Sequence, residues 1–205
     1  MFDTTAAKEH TTSHWVAIDF ETASREKASA CALGLALIED GHIAEERSWL
    51  IQPPGNVFEW RNTSIHGIHE DMVAQEPEFD EVWRGIEPYL RNAVLLAHNA
   101  SFDMAVLRAS IARYELEPPA ALGYHCTVAM ARKVWPDLPN HKLDSVCGHC
   151  GIELAHHDAA SDAAACARIA LRCRRTVGEP TLDALAEPLA VTHSTRRRAL
   201  LRRRG

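Results

Sequence analysis

The chain has 205 residues, 46% of them hydrophobic, with 28 acids, 22 bases and a formal net charge of −6, enough apolar material to bury the core of one globular domain. No apolar run is long enough to cross a bilayer. The polar first thirteen residues lack the basic start and apolar stretch of a secretory signal, and six cysteines in a chain of this size do not form a disulfide framework. Membrane-spanning and disulfide-scaffold classes are thereby excluded, and a protein of the cytoplasm, where thiols stay reduced, is expected.

Residues 1–13 read as a disordered segment. The first element is an apolar run, Trp15 to Ile18, ending in Asp19-Phe20-Glu21. β-branched and aromatic residues suit a covered strand. Strand side chains alternate, so Asp19 and Glu21 leave one face and Phe20 the other. Two carboxylates on one face of a central strand repel each other and resist burial, and hard divalent cations are their natural partners. Next, Cys31–Glu39 and His42–Ile51 flank Asp40-Gly41, a hairpin signal because both turn residues tolerate positive φ. Gln52-Pro53-Pro54-Gly55 then opens a loop expected to reach Glu78.

Phe79, Val82, Trp83, Ile86 and Leu90 recur at helical spacing and predict an amphipathic helix over 78–91. Val94–Ala97 is a short buried strand, Phe102–Tyr114 a second helix, and Leu122–Cys126 a strand. Thr127 is expected to cap a helix across 128–134 that Pro136 ends. Leu143, Val146, Cys147 and Cys150 predict a short helix closed by Gly151, and a long helix covers 158–176. Strands first, then helices alternating with single strands, describe an α/β fold: a mixed sheet with helices packed on it. Residues 177–205 read as an appendage. Its end, 196–205, holds six of the 22 bases and no acid, which leaves 16 bases against 28 acids elsewhere. Such an arginine-rich end is either a solvated tail or a sequence-independent grip on phosphates.

Two further stretches carry chemistry. His98-Asn99-Ala100-Ser101-Phe102-Asp103 lies where a strand gives way to a helix, the edge at which open α/β sheets place active groups. Asp103 there also suits the helix dipole. His157-Asp158-Ala159-Ala160-Ser161-Asp162-Ala163 opens the last helix. Five residues turn a helix through about 500°, so His157 and Asp162 share a site only if His157 precedes the helix and Asp158 caps it. Asp162 then sits in an alanine-rich packing face, where an unpartnered acid is costly.

Asp-x-Glu, HNxxFD and HxAxxDA in this order resemble the DEDDh branch of the 3′→5′ exonucleases, the family of the proofreading subunit of bacterial replicative polymerase, RNase T and oligoribonuclease. The likeness covers about 14–176, the expected exonuclease domain. Asn62 to Ile68 is similar to the family's loop beside the terminal nucleotide, whereas Ala23-Ser24 departs from a glycine that many members carry. The resemblance implies a ribonuclease H-like five-stranded sheet. It also implies Asp19, Glu21, Asp103 and Asp162 as ligands of two cations, Mg²⁺ or Mn²⁺, and His157 as general base. Two ions about 3.5–4 Å apart hold the attacking and leaving oxygens of a phosphodiester, and an imidazole of pKa about 6.5 takes a proton near neutrality. Thr22, His66 and Asn99 are placed at the substrate. The implied partners are nucleic acid with a single-stranded 3′ end, DNA ahead of RNA, and a DNA polymerase.

Three readings follow: a DNA 3′-end exonuclease, an exonuclease of RNA ends or short oligoribonucleotides, and a polymerase subunit valued for docking. The third does not need all four acids. Cys147-x₂-Cys150 lacks the second ligand pair of a structural zinc site, and without a His-x-Glu the deaminase signature fails. Of Trp49, Trp60, Trp83 and Trp135, only Trp60 is a candidate for stacking on bases.

Overall fold

The computed structural model describes residues 14–121 and 123–189. Five strands form one mixed sheet, as expected, in the order β3-β2-β1-β4-β5. β1 is Trp15–Thr22, β2 Ala30–Glu39, β3 His42–Leu50, β4 Val94–Ala97 and β5 Gly123–Cys126. β2 pairs antiparallel with β1 and, through the Asp40-Gly41 turn, with β3; the turn's φ values of 48° and 77° are those it demands. β4 lies parallel to β1, and β5 parallel to β4.

Alternation along β1 divides the core in two. Val16, Ile18 and Phe20 face α3 (Phe79–Leu90) and α4 (Ser101–Arg113), among Leu33, Leu35, Phe79, Trp83, Met104 and Leu107. Trp15 and Ala17 face the opposite way, toward α5 (Thr127–Val134), α6 (Leu143–Cys150) and α7 (Ala159–Val177). On this second face the side chains of β1 and β2 become small toward the acids: Trp15 pairs with Ile38, but Ala17 with Ala36 and Asp19 with Gly34, and α7 answers with a run of buried alanines. Small residues let helix and strand backbones close up. A Cβ on Gly34 would stand 1.8 Å from the carbonyl oxygen of Ala159, so only glycine allows the start of α7 to rest there.

Several elements differ from expectation. The stretch between Gln52 and Glu78 is not an open loop. It holds a 3₁₀ turn at Pro54–Asn56, α1 (Trp60–His66) and α2 (Glu70–Val73). α1 buries none of its seven residues, so no apolar stripe announces it. It is held by polar ties, the Asn62 amide donating to the carbonyls of Thr22 (2.8 Å) and Ser24 (3.2 Å). Thr127 does not cap α5; Cys126 holds that position without a side-chain bond, and the Thr127 hydroxyl goes to the His98 ring instead. α7 begins after Asp158, whose side chain accepts from the Ser161 N–H, and closes on Gly178. α8 (Leu182–Leu189) follows, and Leu182, Leu185 and Ala186 complete the α7-side core, so a stretch expected to belong to an appendage is packed. The segments 1–13 and 196–205, and Leu122 ahead of β5, lie outside the described residues. Among the described residues no helix is long and apolar enough to cross a membrane.

Candidate active site

β1 delivers its carboxylates at the end of the sheet where β4 hands over to α4. Asp19 and Glu21 leave β1 on the α7 side, and Asp162, in the first turn of α7, comes down between them. Each of the three offers an oxygen within 4.8 Å of the others. Gly34 is the register partner of Asp19, so the glycine that admits Ala159 sets α7 beside Asp19. Asp103, in the first turn of α4, reaches the strand itself: its Oδ1 accepts the Phe20 N–H at 3.0 Å. Asp103 and Asp162 are almost wholly buried, and all four acids line one cleft of about 760 Å³.

Such a cluster is electrostatically unfavourable when empty. Burial first, then Asp103, Asp162 and Glu21, hold the Asp19 carboxyl well above the usual carboxylate range. Burial, with Asp162 and Asp103, pushes Glu21 up to about 8. Asp103 is raised by burial, against the N–H groups of Phe20 and Asp103 itself and the charge of Lys27. Burial raises Asp162 too, opposed by the His157 N–H and by His156. The Asp162 Oδ1 is buried without a hydrogen-bond partner among the described residues. Four carboxylates converging with no lysine or arginine ion-paired to them among the described residues, one of their oxygens without a hydrogen bond, suit a divalent metal, since hard cations take carboxylate oxygens.

His157 sits where the sequence requires, on the turn before α7, with a left-handed φ of 67°. Its N–H donates to the Asp162 Oδ2 at 3.1 Å, and its ring lines the cleft. Desolvation and the neighbouring His156 lower its pKa, against Asp162 and Asp144, which favours the neutral ring a proton acceptor needs. His156, not singled out from the sequence, stacks on the His157 ring with centroids 3.9 Å apart and places Nδ1 3.4 Å from the Asp162 Oδ2. Nothing in the HxAxxDA spacing marks it.

The expected substrate residues divide. Asn99 lies on the cleft with φ 71°. Thr22 and His66 do not contribute side chains to its lining; instead they hold α1 to the end of β1. Thr22 is 5% exposed, and its hydroxyl and carbonyl receive the Asn62 amide. The His66 Nδ1 accepts the Ile68 N–H (3.0 Å), which leaves Nε2 protonated to donate to the Thr22 carbonyl (3.2 Å). Both ring nitrogens are thus occupied, and a short-range motif cannot reveal that. His98 is a strut of the same kind: its Nε2 donates to the His141 carbonyl (3.0 Å) and its Nδ1 accepts the Thr127 hydroxyl (2.9 Å). Burial lowers its pKa to about 4.

The signals set aside behave as packing. Cys147 and Cys150 are buried free thiols, Trp83 lies in the core, Trp49 and Trp135 are half-buried against it, and Trp60 is 83% exposed at the start of α1.

Comparison with known proteins follows this geometry. Residues 16–170 match the model of the exonuclease family of the RNase T type. The chain is 32% identical over 158 residues to a PolC-type DNA polymerase III of Clostridium perfringens (strain 13 / Type A), across 76% of this chain but 11% of that one. It therefore spans about a tenth of the length of such relatives. Among solved structures it resembles exonuclease X in complex with 5′ overhanging duplex DNA, with TM-score 0.68, 25% identity, and 85% of this chain and 99% of that chain covered. The nuclease domain of 3′hExo, a DEDDh family member bound to rAMP, shares the fold at TM-score 0.68 and 18% identity over 82% of this chain and 94% of that chain.

Proposed function

The chain belongs to the DEDDh 3′→5′ exonuclease family, its family match running over residues 16–170, and from that membership we propose that it removes mononucleotides from single-stranded or frayed 3′ ends of DNA. The observation that carries the reading is the meeting of Asp19, Glu21, Asp103 and Asp162, from three separate elements, in one cleft beside His157. These four acids are the proposed ligands of Mg²⁺ or Mn²⁺, two ions of which would supply Lewis-acid stabilisation of the charge developing on the phosphodiester oxygens.

The remaining steps belong to the chain's own groups. Burial raises the proton affinity of all four acids, and at Asp19 and Glu21 the neighbouring carboxylates raise it further, so positive charge arriving among them would favour their ionised forms. His157 takes the proton of the attacking water at its ring, neither nitrogen of which has a hydrogen-bond partner among the described residues. Its place is set by the N–H bond to Asp162 and by the stacked His156 ring, and desolvation, with His156, favours its neutral form. Asn99, at the rim of the same cleft, is proposed to orient the terminal nucleotide. Thr22 and His66 act on it indirectly, through the placement of α1.

DNA is preferred over RNA in this reading because the curated relatives are named DNA polymerases and the 25%-identical structure holds DNA. A DNA polymerase is the proposed partner on the same ground. All six cysteines are free, which suits the cytoplasm as the proposed location. The test is a digestion panel: 5′-labelled single-stranded DNA, duplex DNA and RNA, each with Mn²⁺ or with EDTA. Stepwise shortening of the DNA from its 3′ end with Mn²⁺ alone is expected. Faster loss of RNA would replace DNA by RNA as the substrate, and digestion in EDTA would overturn the metal assignment.

A further inference from the structure

The lining of the cleft changes sign away from the acids. Its only permanently positive side chains are Arg132 and Lys142, and neither makes a hydrogen bond or ion pair with another described residue. Other arginines do: Arg25, Arg47, Arg91 and Arg168 each pair with a glutamate. Arg132 lies four residues after Val128 on α5, and both line the cleft, so this helix face is turned toward it.

Lys142 occupies the N-cap of α6, a place that favours Ser, Thr, Asp or Asn and disfavours positive charge. A local rule broken at a site edge marks a residue kept for another purpose. The segment around it is firmly built. The His98 ring donates to the His141 carbonyl, the His141 ring to the Trp135 carbonyl (2.9 Å), and the Asn140 side chain accepts the Lys142 N–H (3.0 Å). Three neighbouring side chains are spent on holding the backbone, while the lysine's own is left free in the cleft.

Resting on the exonuclease reading, we propose that Arg132 and Lys142 hold the phosphate one nucleotide upstream of the bond that is cut. The acids and their cations deal with the scissile phosphate. Each phosphodiester further along the strand still brings a full negative charge into a cleft walled on one side by carboxylates. Two unpaired cations on the same lining cancel that charge and set how the strand enters, so Arg132 and Lys142 act on binding and register rather than on bond cleavage.

The experiment pairs the protein change with a change in the substrate. A single-stranded oligodeoxynucleotide is made with a neutral methylphosphonate at the linkage upstream of the scissile one, and digested with Mn²⁺ by wild type, by Lys142→Gln, and by Arg132→Gln combined with Lys142→Gln. For wild type the methylphosphonate raises KM about tenfold or more, the size expected for a lost charge-assisted contact, with kcat little changed. The double variant shows a similar rise on the all-phosphate strand and no further rise on the methylphosphonate strand. Its dependence of log KM on log salt is flatter by about 0.7, one phosphate's share on a single strand. The single variant falls between. Additive effects of the two changes, or a loss in kcat without one in KM, would overturn the assignment. Melting temperatures matched to wild type exclude misfolding as the cause. A wild-type protein that digests neither strand defeats the exonuclease reading itself, an outcome distinct from any seen only in the variants.

Discussion

The two faces of the sheet are built on opposite principles. Toward α3 and α4 the strands present Ile18, Phe20, Leu33 and Leu35 against Phe79, Trp83 and Met104. Toward α7 the large pair Trp15 and Ile38 gives way, as the strands approach the acids, to Ala17, Gly34 and Ala36 against alanines. Large side chains bury more apolar surface, at about 25 cal/mol per Å², but hold the backbones apart; α7 approaches β1, β2, β3 and β4 to within 8 Å between Cα atoms, while α3 does so at scattered points at most. The large-residue face contributes stability. The small-residue face gives up some of it so that Asp162 can stand beside Asp19, and then buries acids there as well. Stability and chemistry are thus assigned to different sides of the same strand.

The largest effect should come from Asp103→Asn, which keeps the shape and hydrogen-bonding capacity and removes one charge. Turnover should fall on the order of 10³-fold or more, as expected for losing several kcal/mol of metal-assisted stabilisation, while the metal-free protein melts higher than wild type. Retention of near-normal turnover would mean that the acid cluster is not the site. His157→Ala should cost about 100-fold or more, the lower part of the range for a general base, and His156→Ala clearly less, read as kcat on the same strand. Equal losses would make the stacked pair, not one ring, the base.

Gly34→Ala tests the close approach directly. With the Ala159 carbonyl in the way, α7 must shift, at a cost of about 1–3 kcal/mol, and activity should fall about tenfold through displacement of Asp162. Ile18→Ala, on the opposite face of the same strand, should cost about 2–5 kcal/mol in denaturant titration yet leave kcat nearly intact well below the melting temperature. Comparable damage to kcat from both would erase the division between the faces.

The smallest expected effect is a dependence of stability on pH. Carboxyls whose folded pKa lies above the unfolded value bind protons more tightly when folded, so their contribution to stability is present at low pH. It is lost as pH rises from the unfolded value near 4 through the folded value, about 8 for Glu21. With EDTA, the melting temperature should therefore drop between pH 5 and pH 8. Mn²⁺ should remove most of that drop, and Asp103→Asn should flatten it. A curve that Mn²⁺ does not alter would argue against metal at these acids.

The strand pattern, the hairpin turn, the amphipathic α3 and the caps of α6 and α7 follow from the sequence, because period, turn chemistry and capping are local. The four acids and His157 are legible as an ordered set: Asp-x-Glu on a strand face and the acids of HNxxFD and HxAxxDA are ionisable groups set against apolar runs, and it is their order that carries the family resemblance which implies their roles. Other features depend on partners far away in the chain. α1 has no buried stripe and exists through Asn62 reaching back forty residues to Thr22. His66 and Thr22 bind one another's segments rather than lining the cleft. Gly34 matters only because Ala159 lies on it, and Lys142 is notable only once the cleft shows it unpaired among acids. Local propensity acts over one turn or one strand, while the close approach of two backbones and the satisfaction of a buried polar atom are set by what the fold brings against them.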